Sequence, residues 1–177
     1  MTDKNEKKSH IPVLLQEVLQ QFEPMHEGVY IDTTFGAGGY SEAILEASPN
    51  TNVLAFDRDH TVEKFANKLK EKYKDRFEFC QSSYDQIESY IKSHKVVGVV
   101  YDLGVSSMQL DDKSRGFSFD KDERLDMRMD TDQKLSAYNV VNDYEEEALA
   151  DVIYHYGDER KSRAIARKIV WHRDNEG

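Results

Sequence analysis

The stretch Gly28-Val29-Tyr30-Ile31-Asp32-Thr33-Thr34-Phe35-Gly36-Ala37-Gly38-Gly39 decides the fold. A short β-prone run ends in an acid, a glycine-rich loop follows, and a helix is predicted from about Tyr40 to Glu46. In this order the backbone can pass close to a ligand while a helix N-terminus turns its free N–H groups toward it. A dinucleotide fingerprint of the G-x-G-x-x-G kind would need glycine where Ser41 stands, so the match to a nicotinamide enzyme is incomplete. A plain structural turn is the alternative.

Upstream, Ser9-His10-Ile11-Pro12 reads as a helix start ahead of Leu14, Leu15, Val18, Leu19 and Phe22, which predicts a helix over about Val13 to Phe22. Downstream, strands are expected at Asn52–Phe56, Phe77–Gln81 and Val96–Asp102. Between them lie a helix bearing Val62, Phe65, Ala66, Leu69 and Tyr73 on one face, and a shorter one around Tyr84 to Lys92. Strands alternating with helices call for βαβ units and a parallel sheet covered on both faces. From Leu103 to about Gln133 the periodicity collapses into acids interleaved with Lys113, Arg115, Lys121, Arg124 and Arg128, which predicts a long structureless loop. Helices resume at about Tyr144 to Tyr156 and Arg160 to Trp171. An open nucleotide-binding sheet usually has more than four strands, so the chain is expected to be the N-terminal part of a longer protein, or its last helices an inserted subdomain.

The 177 residues hold 24 Lys+Arg against 34 Asp+Glu, a formal charge of −10, which argues against wholesale wrapping by nucleic acid. A local basic patch remains open at Arg160, Lys161, Arg163, Arg167, Lys168 and Arg173, where a solvated helix face is the plainer reading. Tyr154, Tyr156 and Trp171 beside it are expected to pack helix on helix, with base stacking as the alternative. No apolar run is long enough to span a bilayer, so no membrane partner is expected. The single Cys80 suits a reducing cytoplasm and a core position. The histidines show no metal-ligand spacing, and no metal is expected.

Asp57 ends the second strand, 18 residues after Gly39, where a carboxylate can reach the two hydroxyls of a ribose. Helix capping ahead of Thr61 is its other reading, although Asp59 could serve there. Glycine loop and spaced acid together point to an adenosine-type cofactor. Asp102 ends the fourth strand, where catalytic groups of α/β proteins gather, and could accept hydrogen bonds from an amino group; capping or charge pairing is the alternative.

The run Asp102-Leu-Gly-Val-Ser-Ser-Met-Gln-Leu-Asp-Asp-Lys-Ser-Arg-Gly-Phe-Ser-Phe119, followed by Leu125-Asp-Met-Arg-Met-Asp130, resembles the bacterial 16S ribosomal RNA cytosine-N4 methyltransferases of the MraW/RsmH type, which use S-adenosylmethionine (SAM). The resemblance extends through Ile31-Asp-Thr-Thr-Phe-Gly-Ala-Gly-Gly39, Phe56-Asp-Arg-Asp59, His10-Ile-Pro-Val-Leu-Leu15 and Tyr156-Gly-Asp-Glu-Arg160. It implies a Rossmann-like class I SAM-dependent methyltransferase sheet, here its N-terminal strands, with a helical insertion subdomain. The implied organisation is a polar tail at 1–9, the cofactor-binding core at 10–105, a mobile active-site and RNA-facing loop at 106–133, and the start of an RNA-recognition insertion at 134–177. By position in the motifs, Gly38, Gly39 and Tyr40 would line the cofactor's amino-acid end, Asp57 its ribose, Tyr84 its adenine, and Asp102 and Gln109 the region of the methyl group. Tyr40 stands where the family often has histidine, and Glu123-Arg124 where it usually has Gly-Pro.

The implied partner is 16S rRNA, in a small-subunit particle, with Arg115, Arg124, Arg128, Arg163 and Arg167 as candidate contacts. For the loop arginines, salt bridges among the interleaved acids are the competing reading. The implied reaction is in-line attack of a cytidine N4 on the methyl of SAM, with Asp102 holding the amino hydrogens and the base unstacked to reach it. Family members extend further, to more strands and a Ser-Phe-His motif near the site. A cofactor-binding or assembly module without turnover is therefore the second reading, and a nicotinamide oxidoreductase the third.

Overall fold

The computed structural model describes residues 12–23, 25–91, 93–119 and 122–176. The polar tail, the Ser9 cap, His10, Lys92 and Lys121 lie outside these. Two compact units divide the chain, the first ending at Ser107 and the second beginning at Met108. From Met108 on, the predicted loop shares one unit with the helices after it.

The first unit is an open parallel sheet. Strands β1 (Gly28–Asp32), β2 (Thr51–Asp57), β3 (Phe77–Gln81) and β4 (Val96–Val100) lie in the order β3-β2-β1-β4. All three pairings are parallel, with Ile31 opposite Leu54, Phe56 opposite Cys80, and Ile31 opposite Val99 on its other side. Helices α1 (Leu15–Gln21), α2 (Gly39–Ala47), α3 (Glu63–Tyr73) and α4 (Ile87–Tyr90) accompany the strands. Alternation of side chains along each strand produces two apolar faces. One gathers Ile31, Leu54, Phe56 and Cys80 against Ile87 and Ile91. On β1 the neighbouring Tyr30 turns the other way, its ring 5.0 Å from that of Phe22. Cys80 is therefore core, and burial pushes its thiol up to about 11.

Most expected elements are present, with shifted ends. Helix α1 begins at Leu15 after a left-handed Leu14 (φ 62°), later than the proline and hydroxyl signals placed it. Strand β4 stops at Val100, so Asp102 stands just beyond its end.

In the second unit, the stretch expected to be structureless carries α5 (Ser107–Asp111, which starts at the last residue of the first unit) and a 3-10 turn at Lys113–Arg115. Its irregular part is stitched by the Met127 N–H donating to the Arg115 carbonyl and the Ala137 N–H donating to that of Asp126, both at 2.8–2.9 Å. Helix α6 (Ala137–Asp143), absent from the sequence reading, starts from a Ser136 and Asn139 capping box. Helices α7 (Glu146–Gly157) and α8 (Ser162–Asn175) then pair around Leu149, Ala150 and Ala166. Among the described residues no helix is long and apolar enough to cross a membrane.

Candidate cofactor and acceptor site

The strand order places a switch point at β1, whose neighbours β2 and β4 are reached by chain running in opposite directions across the sheet. In such sheets ligands bind in the crevice outside the carboxyl ends at that point. The glycine loop, Asp57 and Asp102 all leave the sheet at this edge.

Gly38 shows why glycine is required in the loop. It is left-handed (φ +83°), and a Cβ there would sit 2.9 Å from the Phe35 ring. That ring is wedged beside Phe77 and Phe79 at 5.7 and 5.2 Å, so the loop cannot retreat. Gly38 also caps α2, which turns the N–H groups of its first turn toward the crevice edge.

Asp57 braces this loop: its Oδ2 accepts the Gly36 N–H at 2.8 Å and its Oδ1 the Asp59 N–H at 2.9 Å. Burial raises its carboxyl above the usual range, and these two bonds work against that shift. Capping ahead of Thr61 falls to Asp59, whose Oδ1 accepts the Thr61 N–H at 3.0 Å and hydroxyl at 2.8 Å. The capping alternative for Asp57 is thus removed.

Tyr40 follows the glycines on α2, and its hydroxyl donates to the Val13 carbonyl at 2.5 Å, tying the approach to α1 to the loop. Burial pushes the Tyr40 phenol up, and the negative charges of Asp102, Asp32 and Glu17 push the same way. Tyr84 opens a 3-10 turn after β3. Its half-exposed ring meets Tyr101, beyond β4, edge-on at 5.7 Å. The crossover from β3 to β4 therefore brings an aromatic from one sheet edge to the other.

Asp32, read from the sequence only as the acid ending β1, supports the loop from behind. It is wholly buried, its Oδ2 accepting the Ser41 hydroxyl at 2.7 Å and its Oδ1 the Thr34 N–H at 3.2 Å. Desolvation raises its carboxyl to about 6. Its signal was present: an acid on the inward parity of a strand, nine residues before a serine on the next helix.

The remaining candidates belong to the second unit. Gln109 is buried on α5. Arg115 is only 7% exposed, and its Nη2 donates to the carbonyls of Arg128 and Met129 at 2.8 and 2.9 Å. Arg128 is forked onto Asp126 and donates to the carbonyls of Thr131 and Gln133. Both arginines hold the loop's own shape: Arg128 through an acid, as the salt-bridge reading expects, and Arg115 through backbone carbonyls instead. Arg124 lies over the Tyr138 ring at 4.6 Å, Arg163 pairs with Asp151 at 2.7 Å and Arg167 with Glu146 at 3.5 Å. Tyr156 (89% exposed) and Trp171 (54%) do not pack between helices as expected. The α7–α8 seam is built from Leu149, Ala150 and Ala166 with Ile153, Ile169 and Val170 against them, and Tyr156 and Trp171 lie outside it.

A carboxylate bracing a glycine loop, a half-exposed aromatic ring and the exposed acid Asp102 at one sheet edge suit a ligand with a ribose and a flat base. Fold and edge together describe the strands of a Rossmann-like α/β sheet with a ligand crevice at its switch point. The chain belongs to the MraW methylase family, whose profile matches residues 7–177. It is 52% identical over 166 residues to Ribosomal RNA small subunit methyltransferase H of Rickettsia canadensis (strain McKiel), covering 94% of this chain and 53% of that protein. Its namesake in Rickettsia bellii (strain OSU 85-389) is 53% identical over 161 residues, 91% of this chain and 52% of that one. The namesake in a Wolbachia of Drosophila simulans (strain wRi) is 48% identical over 165 residues, covering 92% and 56%. The chain spans about half the length of the curated relatives it matches.

Proposed function

We propose that this chain carries the SAM-binding and amino-acceptor machinery of a methyltransferase that modifies the exocyclic N4 of a cytidine in small-subunit 16S rRNA. The observation that supports the reading is the Gly36 to Asp57 hydrogen bond, which ties the glycine loop to the acid at the end of β2 in a chain of this family. Gly38, Gly39 and Tyr40 would hold the cofactor's amino-acid end, Asp57 its ribose and Tyr84 its adenine, with Asp102 toward the methyl. When bound, SAM supplies a methyl carbon made electrophilic by a positively charged sulfur that leaves as a neutral thioether.

The N4 lone pair of cytosine is delocalised into the ring, so the amino group is a poor nucleophile. The Asp102 carboxylate would accept its hydrogens, favour a pyramidal nitrogen, and hold the proton that departs as the N–C bond forms and the C–S bond breaks. Positioning supplies much of the acceleration, because the reacting atoms need to approach to about 3–3.5 Å in line. Arg124, Arg163 and Arg167 are the candidate RNA contacts, with Tyr156 and Trp171 as exposed stacking surfaces. The substrate would be met in a small-subunit particle in the cytoplasm.

Isothermal titration tests the cofactor, with SAM and NAD run in parallel against the 177-residue chain. Binding of SAM, not NAD, that Asp57→Ala abolishes is the expected result; a folded chain that binds NAD and ignores SAM would overturn the reading.

A further inference from the structure

Asp102 stands past the end of β4, exposed, with exposed Leu103 and Val105 following it, so the strand alone does not fix where its carboxylate points. Two adjacent threonines that follow β1 fix the backbone from which that carboxylate hangs. The Thr33 N–H and hydroxyl both donate to the Val100 carbonyl, at 3.1 and 2.9 Å. The Thr34 hydroxyl oxygen accepts the backbone N–H of Asp102 at 2.8 Å, across 68 residues of sequence. Thr34 is itself held from behind, because its N–H donates to Asp32, and Asp32 accepts the Ser41 hydroxyl from the first turn of α2. An unbroken hydrogen-bonded path thus runs from Ser41 through the buried Asp32 and Thr34 to the backbone of Asp102.

We propose that Thr34 is a positioning residue for methyl transfer, locking the Asp102 backbone to the glycine loop so that the amino acceptor and the cofactor cradle keep one geometry. The proposal rests on the reading of Asp102 given above. Chemically it needs a hydroxyl and nothing else from Thr34: an acceptor for one N–H. Valine has the same shape without that acceptor, and serine keeps the acceptor without the methyl. A misplacement of about 1 Å at a reacting group can cost on the order of a hundredfold in rate, so a single backbone bond is enough to matter.

The test measures methyl transfer to small-subunit rRNA by the full-length protein, with SAM affinity measured alongside, for wild type, Thr34→Val, Thr34→Ser and Asp102→Ala. Thr34→Val is expected to lower kcat by about 10- to 100-fold while the Kd for SAM stays within about twofold, and Thr34→Ser is expected to restore most of the rate. An unchanged kcat in Thr34→Val, or a fall matched by equal loss of SAM affinity, would overturn the positioning role. Amide exchange at Asp102 in the wild-type protein needs no variant and holds even if Thr34→Val does not fold: slow exchange is expected, and exchange at the rate of an open loop would overturn the lock. A wild type that binds no SAM, or an Asp102→Ala that turns over normally, would instead sink the underlying reading of the site.

Discussion

Gly36 and Asp57, 21 residues apart in sequence, are joined by an N–H to carboxylate hydrogen bond of 2.8 Å. The acid that would read a ribose is therefore also a strut of the loop that would hold the rest of the ligand. Asp57→Ala removes two backbone hydrogen bonds to a charged acceptor, each worth about 1.5–3 kcal/mol. Titration should show loss of SAM binding together with a lowered melting temperature. A variant that kept its melting temperature would show that the brace contributes nothing.

The buried Asp32 makes stability depend on pH. Its folded carboxyl titrates at about 6 against an ordinary 3.8, so between those values the folded state keeps a proton that the unfolded chain has released. The stability it contributes is present at pH values below the ordinary one and is lost as pH rises through the folded one, about 3 kcal/mol in all. Asp32→Asn, neutral throughout, should gain on the wild type by that order between about pH 4 and pH 7. Urea unfolding at intervals across this range measures the difference, and a constant gap would mean that Asp32 is ionised throughout.

Arg115 and Arg163 were equal candidates in the sequence and differ in the fold. Truncating buried Arg115 strands the carbonyls of Arg128 and Met129 and should destabilise the second unit by about 1.5–3 kcal/mol. Arg163→Ala breaks an exposed pair with Asp151 and should cost under about 1 kcal/mol. For RNA the ranking reverses: filter binding at matched ionic strength should weaken with Arg163→Ala and Arg167→Ala, while equal stability losses in the Arg115 and Arg163 variants would contradict the assignment.

Gly98 on β4 has no room for a side chain. A Cβ there would lie 2.7 Å from the Tyr30 ring and 3.0 Å from that of Phe22, which packs on it from the end of α1. Gly98→Ala should cost about 1–3 kcal/mol by overpacking. Gly157→Ala, with nothing within 4 Å of its new carbon, is the control expected to melt within a degree or two of the wild type.

The sequence by itself determined the strands and helices of the first unit and their order, and left α5 and α6 of the second unseen. Phe77–Gln81 forms a strand over the expected residues, and the strand, glycine loop and helix around Gly38 stand as read, because alternation, helical spacing and glycine's tolerance of positive φ are properties of neighbouring residues. The resemblance in the Asp102 to Phe119 run likewise located the family without coordinates. Only the tertiary structure decided which of several plausible polar residues face each other. The Thr34 hydroxyl meets the Asp102 N–H because β4 inserts beside β1, Arg115 is buried because the irregular chain at Arg128 and Met129 wraps back onto it, and Trp171 is exposed because α8 turns Ala166, Ile169 and Val170 into the α7–α8 seam instead. Each of these depends on partners brought together by packing over long sequence separations, and hydrogen bonds and burial are settled there, not by local pattern.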